Sequence, residues 1–211
     1  MRIKICGITR LVDAMVAVGE GADALGFIFV KDSPRFIHPD DAAAIVRMLP
    51  PFVTAVGVFV NESRASILQV IADAGITCLQ LHGEEASGET EGYSVPVVKS
   101  FRVGPAFDPA ALGQYRTSAY LLDTFASGQH GGTGRTFDWR VAAEARRFGR
   151  IILSGGLNAG NVCRAINEAR PYAVDINSGV ESAPGIKDRE KIKALFAAVR
   201  SMKPDDARSF G

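Results

Sequence analysis

Cysteine is scarce in this sequence, and the few cysteines present are far apart. The 211 residues contain three of them, Cys6, Cys78 and Cys163, with no Cys-x-x-Cys pair. An odd number of distant cysteines argues against a disulfide framework and against a zinc site. Free thiols are typical of a reducing compartment, so we expect a cytoplasmic protein.

Excess charge and long apolar segments are also missing. The net charge is +1, which disfavours broad adsorption to nucleic acid or to a membrane surface. The longest apolar runs, such as residues 24–30, are far shorter than the roughly 20 residues that cross a bilayer. Met1 and Arg2 lead into a short strand pattern without the apolar core of a signal peptide. The sequence therefore predicts neither nucleic acid nor a membrane as a partner.

The sequence does contain a regular alternation of strand and helix patterns. Eight apolar strand patterns are each followed by a helix or by a connector of helical length, which favours a parallel sheet. Eight such units fit a single α/β domain, a (β/α)8 TIM barrel, with a doubly wound open sheet as the alternative. We predict a barrel over residues 1–202 and a polar C-terminal tail over residues 203–211. The expected strands are 2–6, 24–29, 54–59, 78–81, 95–101, 119–123, 150–153 and 172–176.

Two connectors carry only weak helix patterns. Residues 83–93 are acidic, contain glycine and lack an apolar stripe, so at most about one helical turn is expected there. Residues 108–114 predict a short helix. These two segments are the least regular parts of the expected outer layer.

The first expected strand ends on a cysteine. Lys4 and Cys6 share one face of this strand, and Ile3 and Ile5 share the other. Gly7 then gives the backbone the freedom to turn. A lone cysteine is most often a small buried apolar residue, but the C-terminal end of a barrel strand is also where catalytic groups lie. The choice between these two roles depends on what the other strands carry.

Polar residues occur near the C-terminal ends of several other strands. They are His82, Lys99, Asp123 and Asp175, with Lys4 on the first strand. Because barrel enzymes hold their active sites at these strand ends, we expect these side chains to face the interior at the mouth. A buried network of paired charges is the alternative for the two lysines and Asp175.

Glycine-rich turns follow the last two strands. Backbone N–H groups can approach an anion closely at such turns, and the loops after strands 7 and 8 are the usual phosphate site of this barrel. Arg35, in the loop after strand 2, could hold a carboxylate in a bidentate fashion or could be an ordinary surface arginine. The candidate phosphate-binding residues are Gly155, Gly156, Ser178 and Gly179.

Two strand ends carry a possible acid and a possible base. Asp123 and Cys6 would lie across part of the mouth from each other, with room for a ligand between them. No Ser-His-Asp arrangement is evident, so acyl transfer is disfavoured. An acid and a base on opposite sides of a phosphorylated ligand suit isomerisation or epimerisation.

A series of short motifs runs in order from residue 4 to about residue 188. They are Lys4-Ile-Cys-Gly-Ile-Thr9, Ser33-Pro-Arg35, Val56-Gly-Val-Phe-Val-Asn61, Gln80-Leu-His-Gly83, Leu122-Asp-Thr124, Gly131-Gly-Thr-Gly134, Ser154-Gly-Gly-Leu157 and Asp175-Ile-Asn-Ser-Gly-Val-Glu181. Together they resemble the phosphoribosylanthranilate isomerases. The resemblance implies an Amadori rearrangement of N-(5'-phosphoribosyl)anthranilate in tryptophan biosynthesis, without cofactor or metal, by a monomer or homodimer.

The resemblance also implies roles for individual residues. Asp123 is expected to be the general acid, Cys6 the general base, and Arg35 the ligand of the anthranilate carboxylate. The glycine turns after strands 7 and 8 are expected to hold the phosphate. Other expected substrate contacts are His82, Gly134 and Asp175.

Two alternatives stay open at this point. One is another phosphosugar isomerase or epimerase barrel, such as the related isomerase of histidine biosynthesis, in which an aspartate is the base at the end of strand 1. Cys6 at that position argues against this enzyme. The other alternative is a non-catalytic barrel that binds a phosphosugar, which would be expected to have lost the acid or the base.

Overall fold

The computed structural model describes residues 1–124 and 138–202 of the chain. No helix in these two ranges is long and apolar enough to cross a membrane. The strands are β1 (Arg2–Ile5), β2 (Ala24–Ile28), β3 (Thr54–Phe59), β4 (Cys78–Leu81), β5 (Val97–Val103), β6 (Ala119–Thr124), β7 (Ile151–Leu153), β8 (Ala173–Ile176), β9 (Glu181–Ala183) and β10 (Ile186–Lys187). The α-helices are α1 (Leu11–Glu20), α2 (Pro39–Val46), α3 (Arg64–Ala74), α4 (Trp139–Ala145), α5 (Val162–Ala169) and α6 (Arg189–Arg200).

Strands β1 to β8 form a closed barrel of parallel strands in sequence order. The barrel closes where β1 pairs with β8, in a register that places Lys4 beside Asp175 and Ile5 beside Ile176. The predicted single (β/α)8 barrel is therefore confirmed, and the open doubly wound sheet is excluded. All eight strands point their carboxyl ends to the same mouth, as the fold requires for one shared site.

Several helices begin and end where the sequence supplies capping groups. Ser63 and Asp188 accept backbone hydrogen bonds at the N-termini of α3 and α6. Gly21 and Gly75 take left-handed conformations at the C-termini of α1 and α3, with φ of 106° and 67°. These residues satisfy the backbone groups that a helix end leaves free, so the boundaries follow from local chemistry.

Apolar residues fill both sides of the barrel wall. The larger cluster lies between the strands and the helices and includes the fully buried Phe27 and Phe59. In the barrel interior a second cluster consists of Val56, Cys78, Val98, Ala119, Leu121, Ile152 and Ala173. Partners in a parallel register face the same side of the sheet. Each strand residue in this cluster therefore marks an inward position of its strand.

The prediction that Lys99 faces the barrel interior is wrong. Its neighbour Val98 belongs to the interior cluster, and Lys99 itself pairs in register with the outward Leu81. Its Nζ donates to a Glu85 carboxylate oxygen at 3.0 Å and to the Gly83 carbonyl at 2.8 Å. Lys99 thus belongs to a buried paired network, the alternative that the sequence left open.

The connectors differ from regular helices at several places. Residues 83–93 contain a single 3-10 turn at Ser87–Thr90, as predicted, and the expected short helix after β5 is a 3-10 helix at Pro109–Gln114. Two further 3-10 helices occupy Arg146–Phe148 and Ser178–Val180. The antiparallel pair β9–β10 was not predicted. The expected tail at 203–211 lies outside the described residues.

Candidate active site

Cys6 lies at the mouth of the barrel, directly after β1, and is 4% exposed. Its N–H donates to the Ile176 carbonyl at 2.8 Å, so the pairing with β8 continues one residue beyond the strand. Gly7 then adopts a positive φ of 72°. On β2, Gly26 leaves the space that the thiol occupies, because a Cβ on this glycine would lie 2.7 Å from Cys6 Sγ. The backbone pairing with β8 and the close packing against Gly26 therefore fix the position of the thiol.

We expect Gly26→Ala to lower activity far more than it lowers stability. The added methyl would lie 2.7 Å from Cys6 Sγ and 3.1 Å from Lys4 Cε, so these groups must move. A misplacement of about 1 Å at a reacting group can cost about 10²-fold in rate. Measurements of kcat/KM and of the melting temperature would check this expectation.

Gly19→Ala is the matched control for that substitution. An added Cβ at Gly19, within α1, meets nothing within 4 Å, and alanine has a higher helix propensity than glycine. This control should retain full activity. Wild-type turnover in Gly26→Ala would contradict the close packing of the thiol.

Lys4 and Asp175 form an ion pair next to the thiol. Lys4 Nζ donates to Asp175 Oδ1 at 3.0 Å, and the two side chains are 6% and 5% exposed. Burial opposes the charged form of Lys4, but the Asp175 carboxylate and Cys6 outweigh it and raise the pKa of the lysine. Burial also raises the pKa of the Cys6 thiol, and Lys4 opposes this rise. Asp175 is therefore a partner of Lys4 within the site.

Asp123 lies on the inward face at the end of β6, beside His82 at the end of β4. Oδ1 of Asp123 accepts the Thr124 N–H at 2.8 Å, and Oδ2 lies 3.4 Å from His82 Nε2. The side-chain amide of Gln80 lies 2.9 Å from His82 Nδ1. With that amide donating to Nδ1, the proton of a neutral imidazole is on Nε2 and points to the carboxylate. The polar neighbours thus hold Asp123 in place at the rim of the barrel.

Arg35 is held by a carboxylate of the chain itself. Its Nε and Nη2 donate to Glu181 at distances of 2.7 to 3.2 Å. The same carboxylate accepts from Lys187 Nζ at 2.9 Å. Burial opposes ionisation of Glu181, but Arg35 and Lys187 outweigh it, and the pKa of Glu181 is lowered. Nη1 of Arg35 donates to no residue in the described part of the chain, which leaves it available for a ligand.

The turns after β7 and β8 contact each other. Gly155 and Gly156 have positive φ values of 90° and 65°, a conformation that suits glycine. Gly179, in the 3-10 helix Ser178–Val180, packs against the Leu157 carbonyl so closely that a side chain would collide with it. The two predicted phosphate turns are therefore in direct contact where Gly179 meets Leu157. The helices α5 and α6 begin several residues later, at Val162 and Arg189, so no α-helix starts directly at either turn.

Two inward residues on β5 were missed by the sequence interpretation. Ser100 and Arg102 share a face with Val98, and Arg102 pairs in register with Asp123. A cleft of about 270 Å³ at the ends of β4 and β5 is lined by both residues and by His82, and also by the outward Lys99. If Val98 is taken as an inward residue of this strand, alternation predicts that Ser100 and Arg102 also face inward.

The contacts between Glu181, Lys187 and Arg35 were also missed. Arg35 is 146 positions and Lys187 is 6 positions away from Glu181 along the chain, and no local pattern in the sequence predicts either contact. Gly134, a predicted substrate contact, lies outside the described residues. Within residues 1–124 and 138–202, no group of three or more possible metal ligands is found.

The arrangement is suited to proton transfer on an anionic ligand. A thiol beside a lysine lies at the end of β1, and a carboxylate beside a histidine lies at the end of β6. Glycine turns at the ends of β7 and β8 lie between them along the barrel wall. A ligand anchored by these turns would place its reacting carbons between an acid and a base.

The sequence of nearly the whole chain matches one known protein family. The family is described as N-(5'-phosphoribosyl)anthranilate (PRA) isomerase, and the match runs over residues 3–198. A relative from Pelobacter propionicus named N-(5'-phosphoribosyl)anthranilate isomerase is 47% identical over 208 residues, which cover 99% of this chain and 100% of the relative.

Solved structures of such isomerases are also similar. One is a phosphoribosylanthranilate isomerase in complex with reduced 1-(o-carboxyphenylamino)-1-deoxyribulose 5-phosphate, with a TM-score of 0.86 and 41% identity. Another is of monomers of the dimeric isomerase from Thermotoga maritima, with a TM-score of 0.85 and 41% identity. Each similarity covers 96% of this chain and 100% of the solved chain.

Proposed function

The chain belongs to the N-(5'-phosphoribosyl)anthranilate isomerase family and catalyses this isomerisation in tryptophan biosynthesis, and on this premise we propose how its residues carry out the reaction. The ligand is a phosphorylated small molecule, N-(5'-phosphoribosyl)anthranilate, and the product is 1-(2-carboxyphenylamino)-1-deoxyribulose 5-phosphate. The observation that carries the proposal is the placement of Cys6 and Asp123 on the inward face at the ends of β1 and β6.

Asp123 is the general acid of the first step. It donates a proton to the ring oxygen of the ribose while the bond between that oxygen and C1 breaks. The nitrogen lone pair forms the C1=N bond of a protonated Schiff base, and Asp123 is left as a carboxylate. The hydrogen bond from Thr124 and the nearby His82 support this role, because they orient the carboxyl group.

Cys6 is the general base of the second step. Its thiolate removes the proton from C2, the C2–H electrons form the C1=C2 bond, and the C=N electrons return to nitrogen. The resulting enolamine gains a proton at C1 and loses the proton of its C2 hydroxyl, which gives the ketone. Lys4 supports this role because a nearby cation favours the thiolate.

The remaining site residues bind and orient the substrate. Backbone N–H groups of the two glycine turns hold the 5'-phosphate, and their contact with each other supports a single phosphate cradle. Arg35 binds the anthranilate carboxylate through Nη1, with Glu181 fixing its guanidinium. The proposed phosphate ligands are Gly155, Gly156, Ser178 and Gly179, and the other proposed contacts are His82, Gly134 and Asp175.

Arg35→Met should raise KM more than it lowers kcat. The loss of a charge-assisted hydrogen bond to the carboxylate corresponds to about 1.5–3 kcal/mol, or about 10- to 100-fold in affinity. Steady-state kinetics would check this split. Arg47→Met is the control, because Arg47 is exposed at the end of α2 and should leave both constants unchanged. A fall in kcat at constant KM would contradict a binding role for Arg35.

Growth of auxotrophs tests the function in cells and separates it from the nearest alternative. A bacterial strain that lacks phosphoribosylanthranilate isomerase should grow without tryptophan when it expresses this chain. A strain that lacks the related isomerase of histidine biosynthesis should not grow without histidine. Failure in the first strain, with the protein present in soluble form, would contradict the function.

We also propose how the protein exists in the cell. Residues 1–202 form the catalytic domain, residues 203–211 form a tail, and the chain works as a monomer or homodimer without nucleic acid, membrane, cofactor or metal. A cytoplasmic location suits its three free cysteines. Light scattering after size-exclusion chromatography would give the oligomeric state.

A further inference from the structure

Lys187 is a buried lysine that the reaction steps do not use. It lies on β10, and its side chain is 0% exposed. Its Nζ donates to Glu181 Oε1 at 2.9 Å and to Asn177 Oδ1 at 3.0 Å. Burial lowers the pKa of Lys187, and Glu181 opposes this effect. Burial of a charged ammonium group costs free energy. The usual role of a surface lysine, which is to keep the protein soluble, does not explain Lys187.

Lys187 lies close to the end of β1, where the base is. Asn177, which accepts its hydrogen bond, also lies against Gly7, where an added Cβ would be 2.7 Å from Asn177 Oδ1. Arg35 Cδ would lie 2.9 Å from that same Cβ. The ammonium of Lys187 is near enough to lower the pKa of the Cys6 thiol, against the effect of burial. The β9–β10 hairpin thus brings a cation to the base from outside the barrel strands.

The charged groups near Cys6 include more cations than anions, and this excess favours the thiolate against the effect of burial. Lys4, Arg35 and Lys187 contribute three positive charges, and Asp175 and Glu181 contribute two negative charges. All five side chains are at most 12% exposed. An uncompensated charge is costly in such a place, so a third anion would stabilise the cluster. Among the described residues, the Cys6 thiolate can supply that anion before the substrate binds.

We propose that Lys187 is a positioning residue for the Cys6 base, and that together with Lys4 it supplies the positive charge that holds the thiolate. The hairpin β9–β10 then belongs to the catalytic apparatus, since it carries both Lys187 and its partner Glu181. Because this role concerns the base, it rests on the proposed function. It adds a group that touches neither the substrate nor the reacting carbons.

Other groups that face Cys6 set the background against which Lys187 acts. From β1 comes Lys4, and from β8 comes Asp175, which raises the pKa of the thiol. The neutral Asn177, directly after β8, lies against Gly7. The loop after β2 brings Arg35. On the interior side Cys78 stays a neutral thiol, because burial raises its pKa to about 11. Across the mouth lie His82 and Asp123.

The test is the pH dependence of Cys6 alkylation in Lys187→Met. Iodoacetamide reacts with the thiolate, and peptide mass spectrometry reads Cys6 separately from the other cysteines. Removal of a nearby cation disfavours the anion, so the midpoint of alkylation should move to higher pH by about one unit or more. The low-pH limb of kcat/KM should move in the same direction. Lys187→Arg should restore both midpoints toward the wild-type values.

Control variants keep the test decisive. Lys193→Met removes a partly exposed lysine of α6 and should shift neither midpoint. If Lys187→Met does not fold, as judged by its thermal melt, Lys187→Gln removes the charge but keeps a hydrogen-bonding side chain, and the same shift is expected.

An unchanged alkylation midpoint in a folded Lys187 variant would overturn the proposal, even if activity falls. That result would mean that Lys187 only holds the hairpin and Arg35 in place. The alkylation readout needs no turnover, so it remains informative if the wild-type protein fails the isomerase assay, and the two failures are distinguishable.

Discussion

Asp123→Asn should lower kcat/KM by at least about 10²-fold, the usual scale for a general acid. The amide has the shape of the carboxyl group and can keep the contact with Thr124 N–H and the proximity to His82. It cannot donate a proton and then carry the resulting negative charge. Because shape and packing are retained, the loss reports the proton transfer itself.

The control for this substitution is Asp108→Asn. Asp108 is an exposed residue whose side chain accepts the Ala110 N–H at the start of the 3-10 helix after β5. Asparagine caps a helix as well as aspartate does, so this variant should retain wild-type kinetics. Turnover of Asp123→Asn within a few-fold of wild type would remove Asp123 from the acid role.

Cys6→Ser should cause a loss of the same order or larger, at least about 10²-fold in kcat/KM. Serine fits the space above Gly26, where the thiol now packs. Its hydroxyl is a far weaker acid than a thiol, so no useful fraction of alkoxide forms near neutral pH. Cys6→Ala, which removes the group completely, should be at least as impaired.

Cys163→Ser is the matched control for the thiol. Cys163 Sγ donates to the Ala198 carbonyl at 3.3 Å between α5 and α6, and a serine hydroxyl can keep that hydrogen bond. This variant should retain activity. If Cys6→Ser and Cys163→Ser show equal rates, the base has been assigned to the wrong residue.

The activity of the wild-type protein should rise with pH on its low-pH limb. Burial raises the pKa of the Cys6 thiol, and the base must be the thiolate. The fraction of thiolate therefore increases as pH approaches and passes that raised pKa. The iodoacetamide midpoint of Cys6 and the limb of kcat/KM should coincide if the same group controls both.

The barrel could be predicted because its signals are local. Each strand is a short apolar run, and the polar interruptions at Cys6, His82 and Asp123 fall at strand ends. Alternation within β1 and β6 gave the correct inward face. A glycine pair marked the turn after β7, where positive φ values are found at Gly155 and Gly156, and Gly179 marked the turn after β8.

The parts that escaped prediction depend on contacts distant in the sequence. The facing of β5 is set by its register with β4 and β6, which the isolated strand does not contain, so Lys99 was placed inside. Arg35 was expected to bind the substrate's carboxylate or to be an ordinary surface arginine, and its contact with Glu181, 146 residues away, was not predicted. The hairpin that carries Lys187 has two strands of three and two residues, too short for any periodic pattern to reveal.

The disappearance of phosphoribosylanthranilate fluorescence tests the central claim most directly. The substrate is generated in situ, and wild-type protein and Cys6→Ser are added at equal concentration to parallel samples. The wild-type sample should lose fluorescence well above the blank rate and yield 1-(2-carboxyphenylamino)-1-deoxyribulose 5-phosphate, whereas the Cys6→Ser sample should decay close to the blank rate. Decay of the wild-type sample at the blank rate, or of the Cys6→Ser sample at the wild-type rate, would contradict the account.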